Sequence, residues 1–285
     1  MLLAVAIPLW VVALAAPAPS AITAPPRSLS VEEIIERNVS ARGGLEAWRK
    51  VGTMLWVGHI ESAHAPAPSM LFTLAQQRPN KTRFEIDAVG QRTVRVFDGA
   101  RGWKVHPGHN GVAADAQPYS AEELKFARAG QGIDGPLIDL RTKGNVVSLA
   151  GLEEIEGRKA YRLEVRLLTA GERDSLWIDA KNFLEIRCDR VVDGPGPAGV
   201  PRKLVSILYR DYKTFDGLKM PSVIETSGDA RRPPDRMVIE KVMVNAPLDP
   251  YAFVDPLTRR PHSQGLPVPG VGTGGWGSAG GPQGS

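Results

Sequence analysis

The sequence predicts an α+β fold: a single curved antiparallel sheet, a half-barrel, with helices covering its concave face. Two observations point to the curved sheet and its helices. Most of the chain alternates apolar and polar residues with a period of two, in short runs divided by turn-forming residues and without the strand–helix alternation of parallel sheets. Helical signals are confined to the beginning of the chain and to one interlude near its middle.

The first helix starts at Ser30-Val31-Glu32-Glu33, a capping-box pattern in which serine and the glutamate three residues on satisfy each other's backbone. Val31, Ile34, Ile35 and Val39 follow at helical spacing and make one apolar stripe. Gly43 and Gly44 stop it, as glycine does past a helix end. Leu45 to Lys50 can form one more turn, and Gly52 releases the chain into strands. Met54, Trp56 and Ile60 then share a face, as do Met70, Phe72 and Leu74 in the next run. Phe84 with Ile86, Val94 with Val96, and Trp103 with Val105 continue the pattern, with Arg83, Glu85, Arg92 and Arg95 between them. This is the alternation of a sheet with one buried and one wet face. A second capping box, Ser120-Ala121-Glu122-Glu123, opens the helical interlude, and Pro136 is placed to start a further short helix. Strands resume at Tyr161, with hairpins expected at residues 179–182 and at Phe215-Asp216-Gly217, and a last strand over Met237–Asn245.

The two ends read differently from this middle. Residues 1–15 are almost wholly apolar and close on Ala13-Leu14-Ala15, the form of a secretory signal peptide; residues 16–29 read as a linker. Residues 257–285 are rich in Gly, Pro and Ser and read as a disordered tail, because such a tract buries too little apolar surface to offset its ordering entropy. The tail's Gly272–Gly277 satisfies GxGxxG but lacks the strand before and helix after that a dinucleotide site requires. Residues 30–256 are left as one folded domain.

Composition excludes several functional classes. One cysteine, Cys188, allows no internal disulfide and no thiolate zinc centre. The net charge of +4 is spread among acidic residues, so no nucleic-acid partner is indicated. Of five histidines, only His106 and His109 have ligand-like spacing, and they lie in a Pro/Gly/Asn loop better read as a solvated turn; no metal and no cofactor is expected. There is no Gly-x-Ser-x-Gly, no HExxH and no P-loop, and Asp98 and Asp216 are turn formers first. The chain therefore reads as a non-enzyme, with a hydrolase assembled from distant residues as the remaining catalytic reading.

The concave face carries the functional expectation. Met54, Trp56, Ile60, Met70, Phe72, Leu74, Phe84, Ile86, Val94, Val96 and Trp103 are expected to form one apolar surface that binds a greasy ligand. Gly43, Gly44 and Trp48 are expected to form the hinge of a helical lid over it, with Trp48 pinning the joint to the sheet rim.

Short motifs spread over the folded part carry a resemblance. Residues 35–38 and Ala41-Arg42-Gly43-Gly44-Leu45-Glu46-Ala47-Trp48, then Phe97-Asp98-Gly99, Gly102-Trp103, Gly135-Pro136-Leu137, residues 157–161, Asp211-Tyr212, residues 216–221 and Asn245-Ala246-Pro247-Leu248 resemble bacterial outer-membrane lipoprotein-sorting proteins, the LolA/LolB-like superfamily. The resemblance implies a half-barrel whose helix-lidded hollow holds acyl chains of lipoproteins or lipids, in a soluble protein of the Gram-negative periplasm. An inner- or outer-membrane protein is the partner implied by the alternative, an envelope regulator or scaffold on the same fold.

Overall fold

The computed structural model describes residues 28–108, 115–129, 132–168, 173–192, 203–228 and 231–256. The expected signal peptide, nearly all of the linker and the tail lie outside them, as does His109.

Chain order sets the architecture. Helices α1 (Val31–Ala41) and α2 (Leu45–Arg49) precede six strands: β1 (Thr53–Glu61), β2 (Ser69–Gln77), β3 (Lys81–Ala88), β4 (Gln91–Phe97), β5 (Gly102–His106) and β6 (Asp115–Pro118). Two helices follow, α3 (Ala121–Ala129) and α4 (Leu140–Lys143). Seven more strands complete the fold: β7 (Val146–Ile155), β8 (Arg158–Arg166), β9 (Arg173–Asp179), β10 (Glu185–Val192), β11 (Lys203–Phe215), β12 (Leu218–Ser227) and β13 (Asp235–Val244).

All thirteen described strands form one antiparallel sheet in the order β6-β5-β4-β3-β2-β1-β13-β12-β11-β10-β9-β8-β7. Two meanders therefore meet at β1 and β13. The first runs outward to β6, and the second starts at the opposite edge and returns inward. The connection from β6 to β7 has to cross from one edge of the sheet to the other. It crosses one face and carries α3, α4 and the apolar residues Ile133, Leu137 and Ile138 with it. Helix α1 lies on that same inner, concave face. The helices cover the sheet because this topology sends them over it.

Local chemistry fixes the joints. Ser30 Oγ accepts the Glu33 amide at 3.2 Å, and Glu33 accepts the Ser30 amide at 2.8 Å. The same box recurs at α3, between Ser120 and Glu123. Asp216 and Gly217 have φ of 47° and 81°, the positive pair that a two-residue hairpin needs. The short helix expected from Pro136 is instead α4, beginning at Leu140; residues 132–139 form successive turns.

Burial divides into an inner and an outer core. Trp48, Met54, Phe72, Leu218, Met220 and Ile239 centre one inner cluster, under α2 and residues Ile133 and Ile138. Ile34 of α1 and Leu137 pack with Leu163, Leu176 and Ile178 in a second. On the opposite face Leu55, Val57, Ala75, Val94 and Val96 are covered by Ala252 and Phe253, from the segment after β13.

Candidate functional site

Eight of the eleven apolar residues expected on one surface do lie together. Met54 and Phe72 are fully buried beneath the cover, and Trp56, Ile60, Leu74, Phe84 and Ile86 pack beside them while remaining partly exposed. Met70 is directly opposite Ile60 in the β1–β2 pair and is also partly exposed. Ile224 and Met237, which sequence reasoning did not single out, extend this strip: Ile60 pairs with Met237, and Met237 with Ile224.

Val94, Val96 and Trp103 do not join them. Val94 is opposite Glu85, and Val96 is opposite Arg83 and Trp103, so all three face outward and pack under the 246–253 segment. The register explains the error. Phe84 and Ile86 pair with Arg95 and Thr93, so apolar positions of β3 and β4 point to opposite faces. Arg83 and Glu85, taken as the wet face, are a buried ion pair, with Arg83 also donating to the Ala252 carbonyl at 3.2 Å.

The inner strip changes character along the strands. At the end near the α1–α2 joint it is sealed by Trp48 and Val51. Toward Ile60, Met70, Ile86, Ile224 and Met237 the side chains are only partly buried. At its flank the surface becomes polar: Glu123 of α3 accepts Lys104 Nζ at 3.0 Å and also pairs with Arg95. The Trp56 indole N–H is buried in this strip without a hydrogen-bond partner. An orphaned buried donor in an otherwise apolar surface is a place for a ligand oxygen.

The joint expected to be a hinge is firmly anchored. Trp48 sits in the inner core, not on the sheet rim, and its Nε1 donates to the Arg42 carbonyl at 3.0 Å. The Lys219 amide of β12 donates to the same carbonyl at 3.0 Å. A Cβ on Gly43, whose φ is +111°, would lie 2.6 Å from the Gly217 carbonyl oxygen, so only glycine allows this approach. The Arg42 guanidinium lies over the Trp48 ring at 4.6 Å and donates to Glu185 at 3.1 Å and to the Asp134 carbonyl at 3.0 Å. Tyr212 donates its hydroxyl to Glu185 at 3.1 Å, and burial together with that carboxylate pushes the phenol well above its ordinary range. Buried Asp134 accepts Arg78 at 2.7 Å and also pairs with Lys143, whose ammonium burial pushes below its usual value despite that carboxylate. Sequence reasoning missed this network because its members lie far apart along the chain.

Away from this strip, a concavity of about 450 Å³ opens where the β10–β11 ladder ends, beyond the Arg187–Leu208 pair. Glu156, Arg158, Asp179, Arg210 and Asp211 are among its lining, a charged wall unsuited to an alkyl chain. No helix among the described residues is long and apolar enough to cross a membrane.

No family model and no curated protein sequence matches this chain. Solved structures do. A LolA superfamily protein from Nitrosomonas europaea is similar at a TM-score of 0.50 and 12% identity, over 80% of this chain and 98% of that one. A DUF1329 family protein from Desulfovibrio piger is similar at a TM-score of 0.51 and 10% identity, over 81% of this chain and 100% of that one. The chain has a LolA-like fold.

Proposed function

We propose that this protein is a periplasmic carrier or binding protein that holds the acyl chain of a lipid or lipid-modified protein against the inner face of its sheet. One observation carries the reading. Trp56, Ile60, Met70, Ile86, Ile224 and Met237 form a continuous apolar strip on a helix-covered face, and the cover leaves it partly exposed. An ordinary core would bury these side chains fully, gaining about 25 cal/mol for each Å² removed from water. The LolA-like fold supports the same reading.

The energetics set what such a protein must do. Burying a methylene is worth about 0.8 kcal/mol, so a sixteen-carbon chain in water carries on the order of 12 kcal/mol of exposure cost. A sheet sealed at one end and open at the other shields such a chain and still leaves an exit. The Trp56 N–H, buried without a partner, would donate to a carbonyl or hydroxyl oxygen of the cargo. Gly43 would hold the joint against the β11–β12 hairpin, and Gly44, whose missing side chain meets nothing, would be the pivot on which the α1–α2 cover adjusts to longer chains. The protein is read as a binder, with a hydrolase assembled from distant residues as the catalytic alternative.

Native mass spectrometry of protein purified from its own cell envelope tests the proposal. Acyl-bearing adducts are expected, and they should disappear in Ile60→Glu and Met237→Glu variants that remain folded. Protein that is always empty and takes up no fluorescent fatty acid would refute it. A single stoichiometric protein partner captured by crosslinking, in place of lipid, would favour the scaffold alternative.

A further inference from the structure

The two edges of the sheet are built differently. Strand β6 is four residues long, starts at Asp115 and ends at Pro118. Shortness, charge and proline are what keep an edge strand from pairing with another chain. Strand β7 is ten residues long, is hydrogen-bonded only to β8 among the described strands, and contains no lysine, arginine or proline. Its first five residues, Val146-Val147-Ser148-Leu149-Ala150, are uncharged and precede the acidic pair Glu153-Glu154. The ladder to β8 is regular from Val146 to Leu149 and shifts only before Gly151.

This edge is also greasy. Val146 is 51% exposed, Leu149 38% and Leu152 54%. Leu168, 69% exposed, lies at the same edge, since its amide donates to Asn145 just before β7. These are four of the ten large apolar side chains that stand out as exposed among the described residues. A long edge whose first half carries no charge or proline and exposes apolar side chains is a template for strand pairing.

We propose that the β7 edge pairs antiparallel with the β7 edge of a second copy of this chain, about a two-fold axis at Ser148. A two-fold pairing of identical strands is necessarily antiparallel, and residues directly opposite share a face, so the axis falls on a residue. With Ser148 on the axis, Val147 meets Leu149 of the second copy, a contact that occurs twice, and Val146 reaches the bulge at Ala150 that ends the paired stretch. Val147 and Leu149 both point to the inner face, opposite Val165 and Leu163, so the pairing continues the apolar surface across the junction. The uncharged stretch covers itself. Glu153 and Glu154 of one copy then run out past the start of β7 in the other, toward helix α4, which carries the exposed Arg141. An axis nearer the acidic end would set the four carboxylates against one another, which costs stability. The self-complementary order of uncharged centre, basic approach and acidic exit is what selects a second copy over an unrelated strand.

The test uses the full chain with Ser148→Cys. Residues facing each other in an antiparallel pair are about 4.5–5.5 Å apart at Cα, within the span a disulfide bridges. The native Cys188 does not compete, since it is buried and its thiol is pushed up to about 12. Mild oxidation should link Ser148→Cys chains into dimers, and a control Ser40→Cys on exposed α1 should stay monomeric. By sedimentation velocity the unmodified protein should double its mass as concentration rises, and Ser148→Lys should remain monomeric with an unchanged circular dichroism spectrum. Unmodified protein that is monomeric at every concentration, or Ser148→Cys that crosslinks no faster than Ser40→Cys, would overturn the proposal.

Discussion

Single residues decide where the cover can sit. Gly43 brings the α1–α2 joint against the β11–β12 hairpin, and Gly44 holds φ +89° with nothing within contact of its missing side chain. The two glycines therefore fail differently. Gly43→Ala must move backbone as well as adopt a strained φ, and should destabilise the fold by on the order of 2 kcal/mol or more. Gly44→Ala meets only the strain and should cost less. Urea unfolding of both variants measures the difference. If the double variant kept both full stability and full fatty-acid uptake, the joint would be neither a tight contact nor a pivot. Trp56 is the other decisive residue, because its unpartnered N–H is the one polar feature of the strip that a ligand would satisfy.

Elements are tied together by buried charge. Arg42 at the end of α1 and Glu185 at the start of β10 are both buried, and each has further partners in Asp134 and Tyr212. Removing one partner leaves an uncompensated charge, so Glu185→Gln should cost about 3 kcal/mol. Replacing both, as Arg42→Met with Glu185→Leu, should recover much of that loss. A double-mutant cycle by chemical denaturation checks it; additive losses would mean the two do not act as a pair. Helix α3 is held differently, at a more exposed site. Although burial opposes it, the Ser120 amide, Lys104 and Arg95 hold the Glu123 carboxyl below its usual value. A lowered folded value means a contribution present above the ordinary carboxylate value, about 4.3, and lost as pH falls through the lowered one. The protection of α3 amides against hydrogen exchange, relative to the intrinsic rate at each pH, should therefore fall in acid, and Glu123→Gln should show the low protection already at neutral pH. An unchanged α3 rate in Glu123→Gln would show that these contacts do not dock the helix.

At the scale of the whole molecule, the sheet was legible and part of its surroundings was not. Period-two alternation from Met54 to Ile86 and from Tyr161 to Leu167 shows strands, because each must present one face to a core. Alternation cannot say which face of one strand joins which face of the next; that depends on register. Val94 and Val96 were misplaced for this reason. The outer face is apolar there only because Phe253, far along the chain, returns to cover it. Strand β7 went unrecognised because an exposed edge needs no strict alternation; its half-buried residues Val147, Gly151 and Ile155 recur every fourth position and not every second. The Arg42–Glu185–Asp134 network left no local trace at all.

The central claim is that the inner strip holds an acyl chain, and quenching by a brominated long-chain fatty acid tests it most directly. Trp56 borders the open part of the strip, Trp48 is fully buried at its sealed end, and Trp103 and Trp177 lie in other clusters. Saturable quenching of tryptophan emission is expected, largely lost in a folded Trp56→Phe variant and in Met237→Glu. Emission that bromine does not quench, or quenching that survives unchanged in both variants, would contradict it.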